Sequence, residues 1–162
     1  AGKEVIDQAQ AVQKVRAVVE ADTGLVIIAR TDAMSVLGLD AAIERAGEFA
    51  AAGADLVFIE GVTDAERLAV VHAALPDAEL MVNVSEADPH LKPLTPAQLG
   101  EFGVKVALYP VAPLLAAAKA LTGLYQAIAT DGSAQAVDKL SWDELTTLLG
   151  QPELLSLEER YS

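Results

Sequence analysis

Four short apolar runs, rich in β-branched residues, punctuate the chain at residues 25–29, 56–59, 80–84 and 104–108. Each is almost continuously hydrophobic rather than alternating, the pattern of strands covered on both faces. They recur every 25–30 residues or roughly so, as successive strand–helix–strand units with right-handed crossovers do. Between them, apolar residues fall at helical intervals. Residues 7–21 set Val12, Val15 and Val19 on one side and Lys14, Arg16 and Glu20 on the other. Ile43, Ala46, Phe49 and Ala50 share the next apolar face, with Asp40 as the expected N-cap and Gly53 ending the helix. After the fourth run, Leu114, Ala118, Leu121, Tyr125 and Ile128 make a long stripe that predicts a helix packed on the core.

Local chemistry marks where helices begin. Thr63 with Glu66, Thr95 with Gln98, Ser141 with Glu144, and Ser156 with Glu159 all have capping-box spacing, and Pro96 stands at an N1 position. The expected order is therefore one helix, four strand–helix units and two short C-terminal helices, with no low-complexity linker between them. Four parallel strands fit either an open doubly wound sheet or part of a barrel. A nucleotide-binding doubly wound sheet wants a glycine-rich turn after its first strand, and none of the four run ends has one. The fold class expected is α/β, a TIM-type (β/α)8 barrel. A whole barrel needs eight strands and about 250 residues. Residues 1–140 are thus expected to be the C-terminal half of a barrel, and residues 141–162 a helical extension. That the first residue is Ala1 rather than Met agrees with an upstream portion.

Composition narrows the functional classes. The chain has 162 residues, 52% hydrophobic and 22% charged, the make-up of an ordinary globular domain able to bury a core. A net charge of −13 argues against nucleic acid or an acidic membrane as partner, since both need a basic face. With no cysteine, disulfides, thiolate metal sites and a cysteine nucleophile are excluded within these residues. Apolar stretches are interrupted well short of a membrane span, so a cytoplasmic setting is expected.

In barrels, chemistry resides at the carboxyl ends of the strands. The first run leads into Ala29-Arg30-Thr31-Asp32. An arginine emerging from an apolar strand needs an anion, and its planar fork suits a carboxylate; an ion pair with Asp32 or Glu60 is the purely structural reading. The second run ends at Glu60, able to act as acid or base, to bond a substrate hydroxyl, to hold a metal-bound water, or merely to neutralise Arg30. In the third, alternation sends Asn83 and Ser85 to one side, where both can donate to an oxyanion, or simply shape a turn. The fourth ends Leu108-Tyr109-Pro110, without the glycine-rich loop that cradles a phosphate, so a small carboxylate substrate is favoured over a sugar phosphate. His72 and His90 are isolated and lack metal-site spacing. Trp142 reads as an anchor for the terminal helix. Asp88, Pro89, His90 and Lys92 lie in a loop that could contribute to a lid.

Taken jointly, Ala29-Arg30-Thr31-Asp32-Ala33, the segment 38–46, Ala52-Gly53-Ala54-Asp55, Phe58-Ile59-Glu60, Asn83-Val84-Ser85-Glu86 and Ala107-Leu108-Tyr109-Pro110 resemble the isocitrate lyase/phosphoenolpyruvate mutase superfamily over nearly the whole chain. The short members, such as methylisocitrate lyase, dimethylmalate lyase and carboxyphosphonoenolpyruvate mutase, are the nearest in pattern. The resemblance implies a magnesium-dependent carbon–carbon lyase that cleaves a small 2-hydroxy di- or tricarboxylate through a pyruvate-like enolate. Alternatives are a phosphoenolpyruvate or carboxyphosphonoenolpyruvate mutase, and a non-catalytic carboxylate-binding barrel. It further implies that Arg30 holds a substrate carboxylate, while Glu60, Asn83 and Ser85 contact the substrate or its ordered surroundings. The family's magnesium-binding aspartates and catalytic loop lie upstream of Ala1, so no metal ligand is expected in this chain and the chain alone is expected to be inactive. Residues 1–4 resemble the segment just after that loop. Where methylisocitrate lyases carry an arginine after the last strand, this sequence has Leu115. The missing barrel half and a homodimer or homotetramer are the partners implied. The stripe of Trp142, Leu145, Leu148 and Leu149 suits helices exchanged between subunits and equally suits docking within one chain.

Overall fold

The computed structural model describes residues 2–84 and 92–161, apart from the side chains of Glu158 and Glu159. The chain divides into two compact units, Ala1–Leu114 and Leu115–Ser162.

In the first unit, α1 (Gln8–Glu20) starts where the Asp7 carboxylate accepts a hydrogen bond from the Gln10 backbone N–H at 3.2 Å. There follow β1 (Ile28–Thr31), a single turn α2 (Met34–Leu37), α3 (Leu39–Ala51), β2 (Leu56–Ile59), α4 (Ala65–Ala74), β3 (Leu80–Asn83), α5 (Pro96–Glu101), β4 (Val104–Leu108) and the start of α6 (Ala112–Asp131). The four strands are parallel and adjacent in chain order. A doubly wound sheet reverses its strand order at a switch point. None occurs among the described residues, and four successive βα units running one way form a stretch of barrel wall.

The core lies between this sheet and its helices. Ala29, Val57, Ile59, Leu80, Val82 and Val104 pack with Ala42, Ala46, Phe49, Leu68, Val71 and Leu99. Each large aliphatic or aromatic side chain so buried contributes about 1.5–3 kcal/mol. Ala42 and Ala46 are fully buried, and their small side chains let α3 approach β1 and β2 closely. Gly53 turns α3 into β2 at φ 100°, and a Cβ there would stand 3.0 Å from Val19 Cγ1. Because alternate residues point oppositely, Arg30, Phe58, Glu60 and Asn83 belong to the other face of the sheet.

Several expectations shift in detail. β1 begins three residues later than the apolar run, because its ladder starts at Ile28 opposite Leu56; Leu25 and Val26 precede any partner and are 73% and 68% exposed. The strand also continues to Thr31, so Arg30 lies within it. Asp40 is not the N-cap of α3. Gly38, at φ 93°, takes that position, and Asp40 sits in the first turn where its charge suits the helix dipole. At α4 the cap is Asp64, whose carboxylate accepts from Arg67 N–H at 2.9 Å, in place of Thr63. The Thr95–Gln98 capping box and Pro96 at the start of α5 appear as expected.

The second unit holds the rest of α6, then α7 (Trp142–Leu148) and α8 (Gln151–Tyr161). Ser141 and Glu144 form their capping box. Ser156 lies inside α8 and donates to the Glu153 carbonyl at 2.7 Å rather than capping a new helix. No residue of α6 is buried: Leu121, Tyr125 and Ile128 are 49%, 65% and 44% exposed, and Trp142 is 76% exposed. The stripe is helical as expected, but it is not core. Helical period sets which side is apolar; it does not supply what covers it. Among the described residues, no helix is long and apolar enough to cross a membrane.

Candidate functional site

At the carboxyl end of β1 the structure joins two of the residues singled out from the sequence. Arg30 Nη2 lies 2.9 Å from Glu60 Oε2, and Glu60 is placed by its own backbone N–H donating to the Thr31 carbonyl at 2.9 Å. The Nη2–Oε2 approach is an ion contact without hydrogen-bond alignment, so Glu60 Oε2, although buried, accepts no hydrogen bond among the described residues. Register sets Arg30 opposite Phe58, and the guanidinium carbon stands 5.2 Å from the centroid of that ring. Phe58 is buried, and the arginine over its ring is a favourable cation–π arrangement.

Asp32 and Lys3 complete the cluster; the sequence offered Asp32 as an ion-pair partner for Arg30, and that pair forms, whereas Lys3 was not singled out. Asp32 Oδ1 accepts from Arg30 Nε at 2.8 Å, and Oδ2 accepts from Nη2 at 3.3 Å and from Lys3 Nζ at 2.7 Å. The signal available was alternation, since residues two apart in a strand share a face. The hydrogen bond from Arg30, reinforced by that from Lys3, holds the Asp32 carboxyl below its usual range. Reciprocally, the bond to Asp32 and the charge of Glu60 make Arg30 keep its proton more firmly than a free arginine. Two cations and two carboxylates thus form one partly solvated network.

Asn83, the last residue of β3, lies on the same face and pairs in register with Leu108; its Oδ1 is buried with no hydrogen-bond partner among the described residues. It makes no hydrogen bond to Arg30 or Glu60. Ser85 lies outside the described residues, as do Asp88, Pro89 and His90 of the loop read as a lid. His72 is on α4 beside Gly103, away from this cluster, with its Nδ1 buried and without a hydrogen-bond partner among the described residues. Among the described residues no group of three or more His, Asp or Glu side chains could hold a metal ion. Asp32 and Glu60 are already engaged by cations, so they do not make a magnesium site by themselves.

A run of charged and amide groups at the carboxyl ends of successive parallel strands is where β/α barrels keep their chemistry. Residues 1–129 match the family model described as phosphoenolpyruvate phosphomutase, and the chain belongs to this family, within the isocitrate lyase/phosphoenolpyruvate mutase superfamily. It is 38% identical over 136 residues to a 2-methylisocitrate lyase of Halalkalibacterium halodurans, covering 83% of this chain and 44% of that protein. The crystal structure of a 2,3-dimethylmalate lyase superposes with a TM-score of 0.87 at 26% identity, covering 99% of this chain and 58% of the other. A phosphonopyruvate hydrolase solved with oxalate and Mg2+ has a TM-score of 0.78 at 26% identity over 98% of this chain and 57% of its own. The chain spans about half the length of the curated relatives it matches.

Proposed function

We propose that the whole protein is a carbon–carbon lyase acting on a small 2-hydroxy di- or tricarboxylate, of the methylisocitrate or dimethylmalate type. The observation that carries this reading is Arg30, seated over Phe58 between Asp32 and Glu60 at a strand end, with Nη1 donating no hydrogen bond among the described residues. Arg30 receives a substrate carboxylate on its free side, where the planar fork gives direction as well as charge. Glu60 orients the substrate hydroxyl. Asn83 and Ser85 donate to an oxygen that becomes negative as the bond breaks and an enolate forms, so that the donors act most strongly late in the step. Magnesium belongs to this reading, and its ligands come from residues outside this sequence, as does the catalytic loop.

A second reading, a phosphoenolpyruvate-type mutase, is favoured by the matching family model; Leu115, where methylisocitrate lyases carry an arginine, tells only against a tricarboxylate substrate. It is tested by offering phosphonopyruvate and phosphoenolpyruvate in the same assay. The reading also includes a cytoplasmic location, a homodimer or homotetramer, and a helical extension at residues 141–162 exchanged between subunits. Exposed Trp142, Leu148 and Leu149 support the last of these. In the full-length enzyme, Arg30→Ala should lower kcat/KM for the cleaved hydroxyacid by more than about tenfold, or 1.4 kcal/mol. Undiminished kcat/KM would remove Arg30 from the site.

A further inference from the structure

Arg30 is half exposed, and an arginine so placed samples many rotamers unless it is held. Four contacts hold it here: Asp32 Oδ1 on Nε, Asp32 Oδ2 and Glu60 Oε2 on Nη2, and the Phe58 ring beneath. Asp32 takes the Nε–Nη2 side of the fork with both oxygens, and the second oxygen also takes Lys3 Nζ, 29 residues away in sequence. Among the described residues, the side left over is Nη1. Two effects of Asp32 therefore oppose each other. As a negative charge beside the arginine it repels a substrate carboxylate; as a clamp it fixes the fork before the substrate arrives and removes the ordering cost from binding.

We propose that Asp32 is a positioning residue of the carboxylate grip, turning the Nη1 side of Arg30 to the substrate and tying the Lys3 segment to the same arginine. The proposal rests on Arg30 being the carboxylate-binding residue. It commits to the clamp outweighing the repulsion, because the charge of Asp32 is already balanced by Lys3 at 2.7 Å while, among the described residues, the geometry it imposes on Arg30 has no other source on the Nε side. Lys3 then matters through Asp32, not through any contact with the substrate.

The test uses the full-length protein in magnesium-containing buffer, with oxalate binding by calorimetry beside steady-state kinetics. Asp32→Asn should raise the oxalate Kd and the KM about tenfold, with the change falling mainly on KM rather than kcat. Lys3→Met should raise the same quantities about threefold, and the double variant should be no worse than Asp32→Asn alone, since both act through one carboxylate. A lower or unchanged KM and Kd in Asp32→Asn would mean that Asp32 only competes for Arg30, and would overturn the proposal. Lys3→Met is at an exposed position and decides the matter even if Asp32→Asn folds poorly: an unchanged Kd there overturns the clamp. A wild-type protein that binds oxalate in this Asp32-dependent way yet cleaves no hydroxyacid would defeat the lyase reading and leave the positioning role standing. Absence of oxalate binding in the wild type would defeat both.

Discussion

Leu68 in α4 and Leu149 at the C-cap of α7 both occupy apolar positions at helical spacing, yet Leu68 is fully buried and Leu149 is 70% exposed. The same contrast runs through the two units. In the first, the apolar faces of α3, α4 and α5 close on one side of a four-stranded sheet and become core. In the second, α6 and α7 carry apolar faces too, yet no residue of either is buried. What differs is the presence of a sheet. A parallel ladder lays strands side by side and offers a continuous apolar surface on which several helices can close at once. The helix ends of the second unit, by contrast, are as well made as those of the first, because a capping box needs only four consecutive residues.

The contrast can be broken or sharpened by substitution. The largest effect is expected at Leu68→Ala, which should cost about 2–5 kcal/mol in urea unfolding, through lost transfer energy and the cavity left behind. Leu149→Ala in the same 162-residue chain should change stability by no more than about 0.5 kcal/mol. Equal costs at the two positions would break the distinction. A smaller effect is expected at Ser141→Ala, where loss of the cap should weaken α7 by about 1 kcal/mol, read as faster amide exchange in residues 142–148.

The smallest is a pH effect at the same cap. Glu144 accepts from the Ser141 backbone N–H and from its hydroxyl, and these bonds hold its carboxyl below the ordinary 4.5. A pKa depressed in the folded helix means that the ionised form stabilises it. The contribution is fully present above the ordinary value and is lost as pH falls through the folded one. Glu144→Gln should therefore leave α7 helicity, followed by NMR, nearly flat across that acid range while the parent declines. A parent curve equally flat would show that the cap does not depend on the charge.

Much of the site was legible because charge at the end of an apolar run is costly and so conspicuous. Arg30 and Glu60 follow from that alone, and the bounds of β2 and β4 follow from the runs themselves. Asp32 was legible only as an ion-pair partner for Arg30, which it is; the distance to Lys3 and the two-oxygen hold on Arg30 give it a further role that no local pattern displays. The shifted helix starts show another limit. At Gly38 and Asp64, neighbouring residues compete for the same cap, and backbone geometry chose Gly38 over Asp40 and Asp64 over Thr63.

By itself the sequence determined the order of strands and helices apart from the single turn α2, the capping boxes at Thr95 and Ser141, the acidic and cysteine-free character, and the residue types at the strand ends. These depend on bonds within a turn or two of chain, or on composition. Tertiary structure decided which stripes became core, that Phe58 would lie under Arg30, and that Lys3, Asp32 and Glu60 would meet around it. Those outcomes depend on which strands the ladder sets side by side, and contacts made across some thirty residues of chain have no period for a sequence to display.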